Sequence, residues 1–466
     1  METLKTEILV IGGGPGGTPL AMATALSGRQ VVLVEAGAGL GGTCLFHGCV
    51  PSKIFREAAF FKYRAEKSAI LGIEDLSGKV NLDWTAVMKR KEAILSSRSA
   101  SALNNGNKIP SLKILFGKAR FFNAKNVIVE GTQGPVSIEF EKAVIATGSV
   151  SRKLEVPGAE LSGVLTSEQL IATDHIPRSM VVVGGGPIGV ELGQMFSMMG
   201  SRVSILEALP ELLSSVDQKL SSRLKVLLER EGISVKTGVK IARIEENQGL
   251  KRVFYTVDGQ EFFEDAEVIL TVVGRSPQVE SLGLQNTQVR YSPRGIEVDE
   301  SLRTAEKNIW AVGDVTGQPM FAHWATAQAQ ALANALLGRP TSFPRKEFNS
   351  AVIFSHPEIG MVGLTEESAR MQGLDVGVAE YSYSVDARAQ IADEAEGLLR
   401  IIYRRDDSTV VGIHALVEGA ADLMGEAALA VSMKVKLSDI ARTIHPHPTL
   451  TESFGINALG ALRTLT

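Results

Sequence analysis

Cysteine is almost absent from this chain. Its 466 residues include only Cys44 and Cys49, five positions apart. A disulfide stabilises mainly by restricting the unfolded chain, and the effect grows with the loop that it closes, so a bridge between such near neighbours adds little stability. In a regular helix five residues rise by about 7.5 Å, whereas a disulfide spans about 4.4 to 6.8 Å between Cα atoms. A bridge here therefore requires an irregular turn, which Gly48 permits.

The sequence also lacks a strong charge of either sign and any long uncharged apolar run. The formal net charge is -4 and the pI is near 6.1, so nothing supports nucleic-acid binding. No apolar segment is long enough to cross a bilayer, and the N-terminus has no signal-peptide pattern. We therefore expect no nucleic-acid or membrane partner. The expected location is the cytoplasm, or a matrix-like compartment if a presequence has been removed.

Size and composition are those of an ordinary multidomain globular protein. Hydrophobic residues make up 44% and charged residues 21% of the sequence. A chain of 466 residues is too long for one ordinary core, so two to four domains are expected. Reducing surroundings favour a catalytic over a structural pairing of the two cysteines.

The segment around the cysteines, residues 41–53, has the features of a reactive thiol site. Pro51 suits the first turn of a helix running through Lys53, which places Cys49 near a helix N-terminus where a thiolate is favoured. Two alternatives are a pair of unrelated buried thiols and a metal site that includes His47. Neither explains the flanking glycines or supplies a fourth ligand, so a redox pair is favoured.

A dinucleotide-binding pattern opens the chain. Residues 8–11 predict a buried parallel strand, residues 12–17 form a G-x-G-x-x-G turn, and residues 18–26 predict a helix. A second strand at 31–34 ends in Glu35. Glycines allow backbone amides to approach a pyrophosphate at the helix N-terminus, and the acid can bind ribose hydroxyls.

The same pattern repeats in the middle of the chain. A strand at 180–183 leads into the glycine turn 184–189, a helix at 190–199 and a strand at 203–206 that ends in Glu207. The carboxylate of Glu207 would accept bonds from ribose hydroxyls and repel a 2'-phosphate, so this site is predicted to prefer NAD to NADP. The alternative is that Glu207 only caps the end of the strand.

The remaining segments predict the overall architecture. Residues 54–105 look mainly helical, 112–145 alternate like hairpin strands, and a helix is expected from about 322 to 336. From about residue 345, strands and helices alternate as in an α+β domain. The fold class is thus α/β, with two Rossmann-like dinucleotide-binding domains and a C-terminal α+β domain. The predicted domains are 1–149, 150–273, 274–344 and 345–466.

Near the C-terminus, two histidines stand beside prolines. A carboxylate such as Glu452 can fix the tautomer of His447 and raise its basicity, so that the pair can move protons near neutral pH. The alternative is a rigid surface turn without a chemical role.

Several motifs together carry a family likeness. They are residues 41–53 with their C-x4-C spacing, the two glycine turns, residues 146–148, residues 311–314 and residues 447–452. Over essentially its full length the chain resembles the flavin-dependent pyridine nucleotide disulfide oxidoreductases, and within them most of all the dihydrolipoamide dehydrogenase (E3) branch. The resemblance implies FAD and NAD as cofactors, and a homodimer in which each active site uses His447 and Glu452 of the partner subunit. It also implies dihydrolipoamide, free or on a lipoyl domain of a 2-oxo acid dehydrogenase complex, as substrate.

The resemblance also implies roles for individual residues. Cys44 exchanges with the substrate and Cys49 faces the flavin, while Lys53 lies by the flavin and pairs with Glu191 near the nicotinamide. The implied FAD site consists of Gly12, Gly14, Gly17, Glu35, Gly42, Thr43, Lys53, Gly117, Thr147, Gly148, Ser149, Asp314, Met320, Phe321, Ala322 and His323. The implied NAD site consists of Gly184, Gly186, Gly189, Glu191, Glu207, Val239 and Gly274.

Some positions depart from the branch pattern and leave the substrate open. Phe46 and His47 stand between the cysteines where Asn-Val is usual, and Trp324 is bulkier than usual. We expect His47 to lie within reach of the dithiol. The alternatives are a glutathione reductase-like or mercuric reductase-like enzyme, a transhydrogenase or flavin oxidase, and a binding protein that has lost activity. Glu207 argues against a glutathione reductase-like enzyme, and the absence of a second cysteine pair argues against a mercuric reductase-like one. The presence of both Cys44 and Cys49 argues against a transhydrogenase or flavin oxidase. The intact Cys44, Cys49, His447 and Glu452 argue against a binding protein that has lost activity.

Overall fold

The computed structural model describes residues 2–74, 76, 78, 80–132 and 134–465. The strands there are β1 (Glu2–Ile11), β2 (Val31–Glu35), β3 (Leu112–Phe116), β4 (Lys118–Asn123), β5 (Asn126–Gly131), β6 (Gly134–Ile145), β7 (Ser149–Ser151), β8 (Val164–Thr166), β9 (Ser179–Val183), β10 (Arg202–Leu206), β11 (Ser234–Lys236), β12 (Lys240–Asn247), β13 (Leu250–Val257), β14 (Gln260–Ala266), β15 (Val268–Thr271), β16 (Arg275–Pro277), β17 (Tyr291–Ser292), β18 (Gly295–Ile296), β19 (Ile309–Ala311), β20 (Ala351–Ile353), β21 (Ile359–Gly363), β22 (Val376–Ser382), β23 (Leu398–Arg404) and β24 (Val410–Leu416).

The α-helices alternate with these strands. They are α1 (Gly17–Leu26), α2 (Gly42–Phe46), α3 (Cys49–Glu66), α4 (Trp84–Asn107), α5 (Ser167–Leu170), α6 (Pro187–Met199), α7 (Gln218–Arg230), α8 (Ala322–Leu336), α9 (Glu366–Met371), α10 (Ala387–Ala392), α11 (Ala420–Ser432), α12 (Leu437–Ala441) and α13 (Glu452–Leu465). No helix in these residues is both long and apolar enough to cross a membrane.

The first sheet has the order β3-β2-β1-β6-β5-β4, with β19 beside β6. Strands β1, β2, β3, β6 and β19 pair in parallel, and β4 and β5 extend the sheet as antiparallel strands. The predicted strand, glycine turn, helix and strand at the N-terminus are confirmed. The expectation of hairpin strands was wrong for β3, which runs parallel to β2, because alternation indicates a strand but not its partner.

The second sheet has the parallel order β11-β10-β9-β15-β8 and contains the repeated pattern. Strand β9 is fully buried, as the continuous apolar run predicts, and leads through the second glycine turn into α6. The chain passes from the first sheet to the second through β7 and returns through β16. These two strands pair antiparallel, with Ser151 opposite Arg275.

The third sheet, β20-β21-β24-β23-β22, is antiparallel and packs against α11 and α13. This confirms the α+β prediction for the C-terminal part. Several large apolar side chains of this part are exposed: Leu429 (62%), Met433 (68%), Ile444 (95%), Ile456 (51%) and Leu459 (43%). Strand β19, from the predicted range 274–344, completes the first sheet of the range 1–149, and the four predicted domains themselves stay a prediction.

Helix α3, the end of helix α7 and the C-terminal part of the chain meet around His356, whose side chain is buried. Its ring nitrogens lie 3.4 Å from Glu231 Oε1 and 2.8 Å from Glu394 Oε2, and its ring packs against Phe60 and Tyr63. Burial alone would lower the pKa of His356, but the hydrogen bonds to the two carboxylates outweigh it and raise the pKa to about 9.

His356→Gln is expected to destabilise the protein more at pH 6.5 than at pH 10. The ordinary pKa of histidine is about 6.5, so the stabilisation is complete below that pH and is lost as the pH rises through about 9. The raised pKa corresponds to roughly 3 kcal/mol. The measurement is the difference in Tm between parent and variant at the two pH values.

The matched control is His175→Gln, since His175 also contacts two carboxylates, those of Asp174 and Glu267, but its side chain is 59% exposed. We expect this control to change Tm little at either pH, because ion pairs in solvent contribute little. An equal loss of Tm at both pH values in His356→Gln would contradict a stabilising imidazolium.

Candidate functional site

Both cysteines lie on helices, α2 and α3, that follow one another directly beside the first glycine turn. Cys44 is on the short helix α2, and Cys49 is the first residue of α3, as predicted from Pro51. Gly42 has φ +58°, and a Cβ atom there would lie 2.8 Å from the Cα of Gly14, so only glycine allows these two loops to approach. The two thiols lie close enough together for each to shift the pKa of the other.

The environment makes the two thiols unequal. The hydrogen bond from Cys44 lowers the pKa of Cys49 to about 7; burial opposes this effect and the Lys53 ammonium supports it. The same hydrogen bond, together with burial, raises the pKa of Cys44. In the dithiol form, Cys49 is therefore the sulfur that carries negative charge, and Cys44 holds the proton.

An ion pair joins the thiol helix to the second sheet. Lys53 Nζ lies 2.7 Å from Glu191 Oε2, which connects α3 to α6 across 138 positions of sequence. The side chain of Glu191 is 11% exposed, and its other oxygen accepts a bond from the backbone N–H of Phe354 at 2.9 Å. This places a fixed cation four residues after Cys49, on the same face of α3.

Both glycine turns have the shape that a dinucleotide requires. A Cβ atom at Gly12 would lie 2.2 Å from the oxygen of Ala146, and one at Gly17 would lie 1.7 Å from the oxygen of Gly12. Gly189 is equally close, 2.0 Å, to the oxygen of Gly184. By contrast, a Cβ atom at Gly186 would meet nothing within 4 Å, so this position borders open space at the N-terminus of α6. Tight outer glycines and an open central one fit the binding of a pyrophosphate.

The two acids at the strand ends have matching environments. Glu35 accepts bonds from the backbone N–H groups of Gly13 (2.5 Å) and Gly37 (2.6 Å). Glu207 accepts bonds from Gly185 (2.5 Å) and Leu209 (2.7 Å). The predicted neighbours Gly117 and Val239 donate their N–H groups to the carbonyl oxygens of Glu35 and Glu207, respectively. Each acid is therefore fixed beside a glycine turn, where it can reach a ribose.

Residues near β7, β16 and α8 form the other side of the predicted FAD site. Ser149 Oγ donates to Asp314 Oδ2 at 2.6 Å, and Arg275 Nε donates to Ser149 Oγ at 2.8 Å. Arg275 also pairs with Glu168 of α5 at 2.9 Å. Asp314 is thereby tied to the crossing strands.

The remaining predicted cofactor residues border the same region. Gly148 has φ +75° and Gly274 has φ +114°, both favoured only by glycine, and Thr147 Oγ1 donates to the oxygen of Gln278 at 2.7 Å. The sequence from Met320 to His323 forms the start of α8, where no side chain caps the first N–H groups. This helix end can therefore meet a partial negative charge. Thr43 lies on α2 next to Cys44.

His447 and Glu452 form a pair of their own. His447 Nδ1 lies 2.9 and 3.0 Å from the two oxygens of Glu452, and Glu452 also accepts a bond from the backbone N–H of Thr449 at 2.9 Å. The Thr449 bond and the bond with His447 lower the pKa of Glu452, so the carboxylate is ionised. The side chain of His447 is 71% exposed, and its hydrogen bonds within the described residues are with Glu452 alone.

Sequence reasoning missed several residues of the site. The ring of His47 is exposed and lies 6.3 Å from the ring of Phe46, while its reach to the dithiol stays a prediction. Arg275 and Phe354 were not predicted, because their partners lie more than 100 positions away and no local periodicity marks them. Among the described residues no cluster of His, Cys, Asp or Glu could hold a metal ion.

Comparison with known families agrees with this geometry. A family model described as pyridine nucleotide-disulphide oxidoreductase matches residues 6–331, and the dimerisation domain of the same family matches residues 349–458. The chain belongs to the pyridine nucleotide-disulphide oxidoreductase family.

Several relatives match along almost the entire chain. A dihydrolipoyl dehydrogenase from Pseudomonas aeruginosa is 37% identical over 467 residues, covering 99% of this chain and 98% of the relative. One from Geobacillus stearothermophilus is 35% identical over 453 residues, covering 96% and 94%. Among solved structures, the Cu(II) complex of the HOCl-induced flavoprotein disulfide reductase RclA from Escherichia coli has a TM-score of 0.88 at 26% identity, covering 98% of this chain and 99% of that one.

Membership of the family settles the general class of reaction. The protein is an NAD-dependent flavoprotein oxidoreductase with FAD and NAD as cofactors. Its dimerisation domain indicates a homodimer, in agreement with the exposed apolar side chains of the C-terminal part.

Proposed function

We propose that the protein is a dihydrolipoyl dehydrogenase that oxidises dihydrolipoamide with NAD through the Cys44–Cys49 pair. The observation that supports this proposal most is the unequal thiol pair, with the charge on Cys49 and the proton on Cys44. A thiol with a low pKa is the better leaving group in disulfide exchange. Attack on Cys44 with departure of Cys49 is therefore the favoured direction of opening.

The protein groups then have defined tasks. His447 of the partner subunit, oriented by Glu452, takes the proton from one substrate thiol. The resulting thiolate attacks the Cys44 sulfur, forming a mixed disulfide and releasing Cys49 as thiolate. The first proton passes from His447 to solvent, and His447 then takes the proton of the second substrate thiol. The thiolate so formed displaces Cys44, which leaves as a thiol with the proton that His447 returns. The substrate dithiol is oxidised to a disulfide, and the protein disulfide is reduced by the same two electrons.

The cofactor sites complete the cycle. The first glycine turn, Glu35 and Asp314 would hold a flavin, and a bound flavin would supply the two-electron chemistry that links the protein dithiol to NAD. Lys53 stabilises the Cys49 thiolate, and Glu191 holds Lys53 in place. The carboxylate of Glu207 binds ribose hydroxyls and repels a 2'-phosphate, which accounts for NAD rather than NADP. A cytoplasmic location and a lipoyl domain as the natural carrier of the substrate complete the proposal.

A disulfide reductase acting on another substrate is the second candidate. Its support is the similarity to the HOCl-induced flavoprotein disulfide reductase and the unusual Phe46–His47 between the cysteines. His47 is exposed and follows Cys44 by three positions, so we infer that it affects the choice of disulfide.

The test is steady-state oxidation of dihydrolipoamide by the purified flavoprotein with NAD and, separately, with NADP. We expect fast turnover with NAD, and kcat/KM lower with NADP by at least about tenfold, because the phosphate would stand against the Glu207 carboxylate. A protein that is reduced by NADH but does not react with dihydrolipoamide or lipoamide would contradict the first proposal and support the second.

A further inference from the structure

Phe354 contacts both members of the Lys53–Glu191 pair. The Lys53 ammonium lies 4.1 Å from the centre of the Phe354 ring, and the backbone N–H of Phe354 donates to Glu191 Oε1 at 2.9 Å. A cation over an aromatic face is attracted by the quadrupole of the ring, and this attraction requires an aromatic side chain. Phe354 belongs to the C-terminal part, whereas Lys53 and Glu191 belong to α3 and α6.

The position of Phe354 is fixed from two sides. On α3, Arg56 donates to the carbonyl oxygens of Phe354 and Ser355, each at 3.0 Å, and also pairs with Glu418. On α6, the side-chain amide of Gln194 exchanges two hydrogen bonds with the backbone of His356, at 2.6 and 2.7 Å. The segment 354–356 is therefore held between the thiol helix and the helix that carries Glu191.

The Lys53 side chain needs contacts that restrict its rotamers. A lysine has a flexible four-carbon stem and loses rotamer freedom when its ammonium is fixed. Its other described contacts are the 2.7 Å pair with Glu191 and a 3.3 Å bond to Ser52, and its side chain is still 32% exposed. Without the ring below it, the ammonium could move toward solvent, away from Cys49.

We propose that Phe354 is a positioning residue that holds the Lys53 ammonium beside Glu191 and Cys49 through its ring face. This inference rests on the proposed role of Cys49 as the thiolate beside the flavin. Its test, however, requires neither a dithiol substrate nor NAD. Phe354→Leu removes the ring face and keeps the backbone N–H that binds Glu191.

The experiment uses the flavoprotein with Cys44→Ser, in which Cys49 is the only thiol of the chain. The pKa of Cys49 is measured by the pH dependence of its alkylation with iodoacetamide, followed by mass spectrometry, and by the change in flavin absorbance with pH. We expect Phe354→Leu to raise this pKa by about half a unit, which lowers the thiolate population about threefold below the pKa. Phe354→Tyr, which retains the ring face, should restore the parental value.

The matched control is Phe263→Leu. It removes a similar cation–π contact on β14, in which the Arg252 guanidinium lies 4.0 Å from the centre of the Phe263 ring. It should leave the pKa of Cys49 unchanged. In a Lys53→Met background, Phe354→Leu should cause no further shift, because the ring acts through the ammonium. An equal shift with and without Lys53, or no shift when Lys53 is present, would overturn the inference.

Two further outcomes are distinguishable. If Phe354→Leu lowers Tm so far that it does not fold, Phe354→Met, whose longer and more flexible side chain fills irregular gaps, replaces it with the same expectation. If alkylation reports the ionisation of Cys49 but flavin absorbance does not respond to it, Cys49 does not face the flavin. That result would count against the proposed mechanism, while the alkylation data would still decide the role of Phe354.

Discussion

Cys44→Ser is expected to lower turnover of dihydrolipoamide by more than about a thousandfold while FAD stays bound. The chain has no third cysteine, so the variant cannot form the mixed disulfide or store two electrons as a dithiol. Cys44 is only partly buried and lies on the short helix α2, and serine is nearly the same size, so the fold should tolerate the change. The measurement is kcat/KM with dihydrolipoamide and NAD.

The same sample contains its own control. In the proposed mechanism, reduction of the bound flavin by NADH uses the glycine turns, Glu191 and Glu207 but not Cys44, so bleaching of the flavin absorbance by NADH should persist in the variant. Retention of more than about a tenth of the parental dithiol turnover would exclude Cys44 as the obligatory exchange thiol.

His447→Gln is expected to lower kcat/KM for dihydrolipoamide by about a hundredfold to ten-thousandfold, the range for loss of a positioned general base. The reason is the geometry of the pair: the ionised Glu452 holds His447 Nδ1 at 2.9 Å, which leaves Nε2 free to accept a proton. His445→Gln is the matched control, because His445 is also bound to a glutamate, Glu426, at 2.9 Å but has no proposed chemical role. Equal losses in the two variants would contradict the assignment of His447.

A mixed dimer of Cys44→Ser and His447→Gln subunits tests whether the active site is shared between the two subunits. If each site combines Cys44 of one subunit with His447 of the other, a purified heterodimer of Cys44→Ser and His447→Gln subunits contains one intact site and one doubly damaged site. Its activity should then be about half that of the parental dimer. A site within one chain would instead leave both subunits damaged, and the heterodimer would be as inactive as either variant.

Much of the fold could be predicted because its signals are local. The glycine turns, the buried runs before them and the acids after them repeat at the same spacing, and the helix expected at 322–336 has those bounds in the structure. Strand β3 was misjudged because a run of five residues shows its faces but not its neighbour. The helical prediction for 54–105 was confirmed for α3 and α4, while residues 75, 77 and 79 lie outside the described part of the chain.

The site was predicted less completely, because its contacts join distant segments. Lys53 and Glu191 were paired only through the family resemblance, since 138 positions separate them. The roles of Phe354 and Gln194 depend on how the segment 354–356 lies against two helices, and no periodicity in that segment predicts this. The difference in pKa between the two cysteines likewise arises from their mutual orientation, which their spacing alone leaves open.

The crossing of β7 and β16 brings the two ends of the middle segment of the chain together. Because Ser151 lies opposite Arg275, the polypeptide leaves the first sheet and returns to it at neighbouring points, as an inserted domain does. Its termini are thus already adjacent. Gene duplication followed by insertion at this point would explain why one chain carries two glycine turns.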